Sequence, residues 1–163
     1  METLDVGCGS PSKWHSFLKT KNVIHVDINK SAYHLEVQCS AYNLPFKPDI
    51  FNSVYLRHIL EHLIKPVDAI QEAYRVSKHM VIIKVPNGSF YKARESAKGH
   101  IYSWTEWTLQ NLLELYFGKV TVILSNRWVF STVPIRKIQK IKLMIERTLF
   151  GKFQELTAIC LKR

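Results

Sequence analysis

Apolar positions along the chain follow two rhythms. Short runs of β-branched or alternating residues predict strands at Leu4–Val6, Asn22–Ile28 (NVIHVDI), Leu35–Cys39, Ser53–Arg57 (SVYLR), His79–Val85 (HMVIIKV), Lys119–Ser125 (KVTVILS) and Glu155–Leu161 (ELTAICL). Between them the spacing turns helical. Ser12–Thr20 is one such stretch, with Pro11 near its start, where a missing N–H costs little. Pro66–Ser77 places Val67, Ile70, Ala73 and Tyr74 on one face, and Thr105–Phe117 does the same with Trp107, Leu112, Leu115 and Tyr116 before Gly118. A further helix is expected over Ile135–Leu149. Strands alternating with helices of this length predict an α/β fold on a mostly parallel sheet, with right-handed connections.

The first predicted strand runs straight into Gly7-Cys8-Gly9. A strand that ends in Gly-x-Gly and turns into a helix brings bare backbone against a ligand, because glycine has no Cβ to obstruct it. The helix start behind the loop offers N–H groups and a positive dipole end. Asp27 closes the second strand, eighteen positions after Gly9, where an acid can accept both hydroxyls of a ribose. The two strands together predict a nucleoside site. A dinucleotide fold expects a third glycine at position 12, and this chain has Ser12.

The order of motifs resembles class I S-adenosylmethionine-dependent methyltransferases, nearest the type 11 group that includes ubiquinone- and menaquinone-biosynthesis-like enzymes. LDVGCGS (residues 4–10) resembles the family's first motif, HVDIN (25–29) its ribose-binding motif and CSAYNLPF (39–46) its Gly-Asp-Ala-x-x-Leu-Pro-Phe stretch. PDIFNSVYLRHILEHL (48–63), RVSKHMVIIKVPN (75–87) and HIYSWTEWTLQNLLELYF (100–117) resemble the later motifs, in the family's order. The resemblance implies a single Rossmann-like domain over residues 1–163. It would hold a seven-stranded, mostly parallel sheet with a late antiparallel strand, helices on both faces, a truncated N-terminus and a helical insertion at 127–152. It implies S-adenosylmethionine as cofactor. Asp5, Gly7 and Gly9 would border its methionine end, Asp27 would hold the ribose and Ile28 would flank the adenine. Ser40 and Ala41 would line the adenine edge, and Arg57 and His58 would close the site. Two departures are visible. Pro11 replaces a glycine and Ser40 replaces an aspartate, so a weak cofactor site is expected, micromolar or poorer.

Methyl transfer from a sulfonium is an in-line displacement that needs alignment first, and a base only if the nucleophile carries a proton. His58 and His100 are the candidate catalytic bases; His62 reads as a packed histidine within EHL (61–63). The seven histidines show no metal-ligand spacing, and no metal is expected.

Composition adds the partners. The chain has 163 residues, 47% of them hydrophobic, and a net charge of +10. That charge fits an anionic partner or plain solubility. No run is long enough for a membrane span and no signal peptide is visible. Cys8, Cys39 and Cys160 form no zinc or disulfide pattern, which fits a reducing cytoplasm. The stripe Ile138, Ile141, Ile145 and Leu149 has two readings: packing on the chain's own core, or a lid for a lipid-like or anionic substrate. The leading expectation is a methyltransferase acting on an unidentified small-molecule or lipid-like acceptor. The alternatives are RNA methylation or nucleic-acid binding, and an inactive scaffold of the same fold.

Overall fold

The computed structural model describes residues 3–9, 22–32, 34–89, 99–125 and 155–163. The strands among these are β1 (Thr3–Val6), β2 (Val23–Asp27), β3 (Val37–Gln38), β4 (Phe51–Arg57), β5 (Ser77–Pro86), β6 (Lys119–Ser125) and β7 (Glu155–Leu161). Two α-helices join them, α1 (Pro66–Val76) and α2 (Glu106–Glu114), with a 3-10 turn at Leu60–His62. The strands make one sheet in the order β3-β2-β1-β4-β5-β7-β6. The first five are parallel, and β7 runs antiparallel to both β5 and β6. This is the Rossmann-like sheet that the sequence predicts.

β1 is the pivot. Leu4 pairs with Ile24 on one side and Val54 on the other, and Val6 with Val26 and Leu56. Leu4, Val54 and Leu56 are completely buried. From β1 the sheet grows in one direction through β2 and β3, and in the other through β4 and β5. That reversal opens a crevice at the carboxyl ends of β1 and β4, where open α/β sheets bind ligands. Everything that could form a site therefore sits at one edge.

Several boundaries differ from the sequence expectation. β3 is two residues long, not Leu35–Cys39. It is an edge strand, and the Glu36 carboxylate turns inward to accept the His25 backbone N–H at 2.6 Å. β5 begins at Ser77, directly after α1 ends, and the Ser77 hydroxyl donates to the Tyr74 carbonyl at 3.0 Å to close the last turn. In α2 the buried residues are Leu109 and Leu113, while Trp107 and Leu115 are 72% and 69% exposed. A reciprocal cap between Thr105 and Thr108 sets the helix start, and packing of Leu109, Leu112, Leu113 and Tyr116 on the core leaves Trp107 in solvent. Gly118 does not end the helix through a left-handed backbone. Its N–H donates to Leu161 at 3.0 Å, and a Cβ there would lie 2.9 Å from Arg163 Cγ.

The helices expected at Ser12–Thr20 and Ile135–Leu149, and the 127–152 insertion, lie outside the described residues. No helix among the described residues is long and apolar enough to cross a membrane.

Because Leu56 is fully buried where β1 and β4 pair, replacing it by alanine leaves a cavity under the crevice. Leu56→Ala should cost about 2–5 kcal/mol in urea unfolding. A loss under about 1 kcal/mol would contradict a β1–β4 pivot.

Candidate active site

The loop after β1 is held on all sides. The amides of Gly7 and Cys8 both donate to the Val26 carbonyl, at 2.8 and 3.2 Å. The Gly9 amide donates to Asp27 Oδ2 at 2.8 Å, and the other carboxylate oxygen accepts the Asn29 amide, also at 2.8 Å. One carboxylate thus ties the end of β1 to the end of β2. Both glycines have positive φ, 75° at Gly7 and 66° at Gly9. They differ in what surrounds them. A Cβ on Gly7 would lie 2.6 Å from Ile59 Cδ1, whereas one on Gly9 would, among the described residues, meet nothing nearer than the Gly7 carbonyl oxygen at 3.9 Å. So Gly7 is small because the chain itself crowds it. Gly9 is not crowded by any described residue.

Below the loop, Asp5 is buried and its Oδ2 lies 2.9 Å from His25 Nδ1. This hydrogen bond, helped by the charges of Asp5 and Glu36, outweighs burial and raises the His25 pKa above its ordinary 6.5. The local field is negative. The Cys8 thiol is pushed up to about 11 by burial and by Asp27, Asp5 and Glu36. Burial and Asp27 raise Cys39, and burial and Asp5 raise Tyr55. Three neighbouring groups therefore all resist acquiring negative charge.

The third wall is the 39–46 segment. The Cys39 amide donates to the Asp27 carbonyl at 2.9 Å, and the Tyr42 amide donates to Ser40 Oγ at 3.2 Å. The segment is pinned from behind by α1. Arg75 donates to the carbonyls of Phe46 and Leu44 at 2.7 and 2.9 Å and pairs with Glu72 at 2.6 Å, while Glu72 accepts the Leu44 amide at 2.8 Å. The Arg75 hydrogen bond holds the Glu72 carboxyl below its ordinary range.

On the far side, β4 delivers His58 in a left-handed conformation, φ 49°, with its amide donating to Lys84 O at 2.8 Å. Its Nε2 lies 3.1 Å from Glu155 Oε1 and its Nδ1 3.3 Å from Glu61 Oε1. Lys84 Nζ lies 2.7 Å from the other Glu155 oxygen. Burial opposes charge on His58, but the two carboxylates outweigh it and raise its pKa. Burial opposes charge on Glu155 as well, yet His58 and Lys84 hold it at about 2. With one carboxylate at each ring nitrogen, the His58 side chain tethers β4 to the 3-10 turn and to β7. His100 is the opposite case. Burial holds its pKa below 6.5 against the pull of Glu61, and the nearby His62 and His58 lower it further. Its ring packs edge-on against His62, centroids 4.6 Å apart.

Of the residues singled out in the sequence, Gly9 and Asp27 are linked directly, and Gly7 is bonded to Val26, the neighbour of Asp27. Asp5 lies beneath them, bonded to His25. Ile28 is 72% exposed beside Asp27. Ser40 and Ala41 are half-buried after β3, on the segment that Asp27 holds through Cys39. Arg57 is half-buried at the end of β4, in register with Lys84. The sequence reading overlooked His25, Glu61, Lys84 and Glu155. The last comes from a strand distant in sequence, and only the antiparallel β5–β7 pairing brings it to Lys84 and His58.

The comparisons fit this geometry. Over residues 4–83 the chain matches the methyltransferase-domain family. A SAM-dependent methyltransferase of Archaeoglobus fulgidus is 25% identical, with TM-score 0.69, covering 99% of this chain and 86% of that one. A Thermotoga maritima protein, described as a SAM-dependent methyltransferase and possible histamine N-methyltransferase, superposes with TM-score 0.73 at 17% identity, covering 99% and 82%. YcgJ of Bacillus subtilis superposes at 0.58 and 17% identity, covering 99% and 92%. No curated protein matches significantly. The methyltransferase-domain match spans β1 to β5 and so includes the glycine loop, Asp27, Ser40 and His58.

The Asp5–His25 pair gives a pH dependence. A raised folded-state pKa stabilises the protein fully below 6.5, and that contribution is lost as pH rises through the folded value. By NMR, the His25 ring should titrate above 6.5, and Asp5→Asn should bring its midpoint down. An unmoved midpoint in that variant would show that Asp5 does not hold the charge.

Proposed function

We propose that this chain is an S-adenosylmethionine-dependent methyltransferase whose acceptor is a small-molecule or lipid-like compound. The observation that carries the reading is the loop's hydrogen bonding together with its field. The amides of residues 7, 8 and 9 are all engaged within the protein. None is left to cradle a phosphate, as a dinucleotide would require. Instead two carboxylates, Asp5 and Asp27, lie beside the loop and add to burial in raising the pKa of the Cys8 thiol. That environment favours a cation, and a sulfonium nucleoside carries its charge at that end.

The residues fit such a group. Each Asp27 oxygen accepts one backbone amide and keeps acceptor capacity for a ribose hydroxyl. Ile28 offers an exposed apolar surface for a base. The Ser40 oxygen already accepts the Tyr42 amide, so its remaining acceptor capacity is limited and neutral. This supports weak cofactor binding, micromolar or poorer. When bound, S-adenosylmethionine would supply an activated methyl group. The chain's part is to fix the ribose at Asp27 and neutralise the sulfonium. His100, whose pKa burial lowers, would be the imidazole available to take a proton from an acceptor. The absence of a zinc or disulfide cysteine pattern supports a cytoplasmic setting.

Calorimetry with S-adenosylmethionine tests this, with NADH as the control nucleotide. The wild-type chain should bind the first and not the second. Asp27→Asn should weaken binding roughly ten- to a hundredfold, by analogy with other charge-assisted hydrogen bonds. Gly9→Ala should place a methyl beside the loop and weaken binding too, while left-handed strain costs about 1–2 kcal/mol of stability. Gly7→Ala should destabilise more, because its methyl meets Ile59. Unchanged affinity in both Asp27→Asn and Gly9→Ala would contradict the proposal.

A further inference from the structure

We propose that Glu61, His62 and His100 form a binding site for one first-row divalent cation. Each offers a ligand atom, and these atoms all lie within 4.8 Å of one another. Bonds of about 2.0–2.2 Å in tetrahedral geometry would set such ligands roughly 3.3–3.6 Å apart, so binding needs a closure of up to about 1.5 Å. His62 is exposed and its side chain can supply that movement.

A second observation points the same way. Glu61 is 1% exposed, and among the described residues neither of its carboxylate oxygens has a hydrogen-bond partner. Its side chain meets one basic group among the described residues, Oε1 to His58 Nδ1 at 3.3 Å, and Oε2 meets none. A carboxylate this buried is costly unless further positive charge completes it. The imidazoles beside it are arranged to do so through a metal. The Gly99 carbonyl can only accept, so His62 Nδ1, 3.1 Å away, must donate. That fixes the tautomer and leaves the lone pair on Nε2, the pattern by which a second partner orients a metal-binding histidine. The Ile101 and Tyr102 amides donate to the Glu61 carbonyl at 2.7 and 3.2 Å. These bonds lock the loop that carries His100 onto the 3-10 turn that carries Glu61 and His62.

Two imidazoles and one carboxylate suit Zn²⁺, Co²⁺, Fe²⁺ or Mn²⁺ better than Mg²⁺ or Ca²⁺, which prefer oxygen. Three protein ligands also leave coordination positions open. The turn follows directly on Ile59, which packs beside Gly7. On the methyltransferase reading, and resting on it, an open position would take an acceptor oxygen. The sequence analysis expected no metal because adjacent residues 61 and 62 join a third from a distant loop, which no local spacing reveals.

The test uses the full chain, stripped with EDTA and titrated with Zn²⁺, Co²⁺ and Mg²⁺ alone, without S-adenosylmethionine. One equivalent of Zn²⁺ or Co²⁺ should bind, with Mg²⁺ much weaker. His62→Ala and His100→Ala should each weaken binding roughly tenfold or more. His79→Ala, at an exposed position on β5, should leave it unchanged. Glu61→Gln should abolish the metal-induced rise in melting temperature; should that variant not fold, exposed His62→Ala carries the test. No binding by the wild-type chain, equal binding by the His62→Ala/His100→Ala double variant, or equal loss in His79→Ala would each overturn the site. Cofactor binding measured separately on the same protein keeps a failure here distinct from a failure of the methyltransferase reading.

Discussion

The Asp27 carboxylate is the bond on which the crevice depends. It accepts the Gly9 amide with one oxygen and the Asn29 amide with the other. β1 and β2 already lie side by side through parallel pairing, but that pairing ends at their tips. Beyond the tips the Gly7 and Cys8 amides still reach the Val26 carbonyl, and the Asp27 carboxylate extends the tie to Gly9 and Asn29. Hydrogen bonds to a carboxylate are stronger than neutral ones. The same group faces the space beside Gly9. Structural restraint and ligand recognition thus converge on one side chain.

Charge then decides what that space can hold. A glycine loop at the end of a first strand is common to phosphate-binding and sulfonium-binding folds, so the loop alone discriminates little. Here the amides of residues 7–9 are spent on Val26 and Asp27, and burial together with the acids around it pushes the Cys8 thiol up to about 11. A phosphate at these residues would meet carboxylates rather than free amides. A sulfonium would meet complementary charge. Across the crevice the pattern changes, with the basic side chains of His58 and Lys84 set around Glu155. The two walls carry different chemistry because they come from the two halves of the sheet that diverge at β1.

Much of this was legible in the sequence, for physical reasons. Period-two runs such as HMVIIKV cannot sit still as helices, so strand existence and order follow from them. Gly7, Gly9 and Asp27 are separated by one strand-and-crossover unit, and such units are regular enough to predict their meeting. The edge strand β3 was overestimated because apolar spacing cannot tell which pairs a neighbour completes. The α2 face was misphased because Trp107 and Leu115 also stand at helical spacing, whereas the stripe that packs on the core runs through Leu109, Leu112, Leu113 and Tyr116. Glu155 and Glu61 were hidden for another reason. A carboxylate in an apolar strand reads as a surface residue until antiparallel pairing brings it to Lys84 and His58. His58 itself was placed correctly at the end of β4, but its protonation depends on those two unseen acids.

The most direct measurement is a crystal structure of the chain grown with S-adenosylhomocysteine. The account predicts ribose hydroxyls on the Asp27 carboxylate, the adenine over Ile28 and the amino-acid end beside Gly7 and Gly9. A ligand bound elsewhere, or a crevice closed by packed side chains between Gly9 and Asp27, would contradict it.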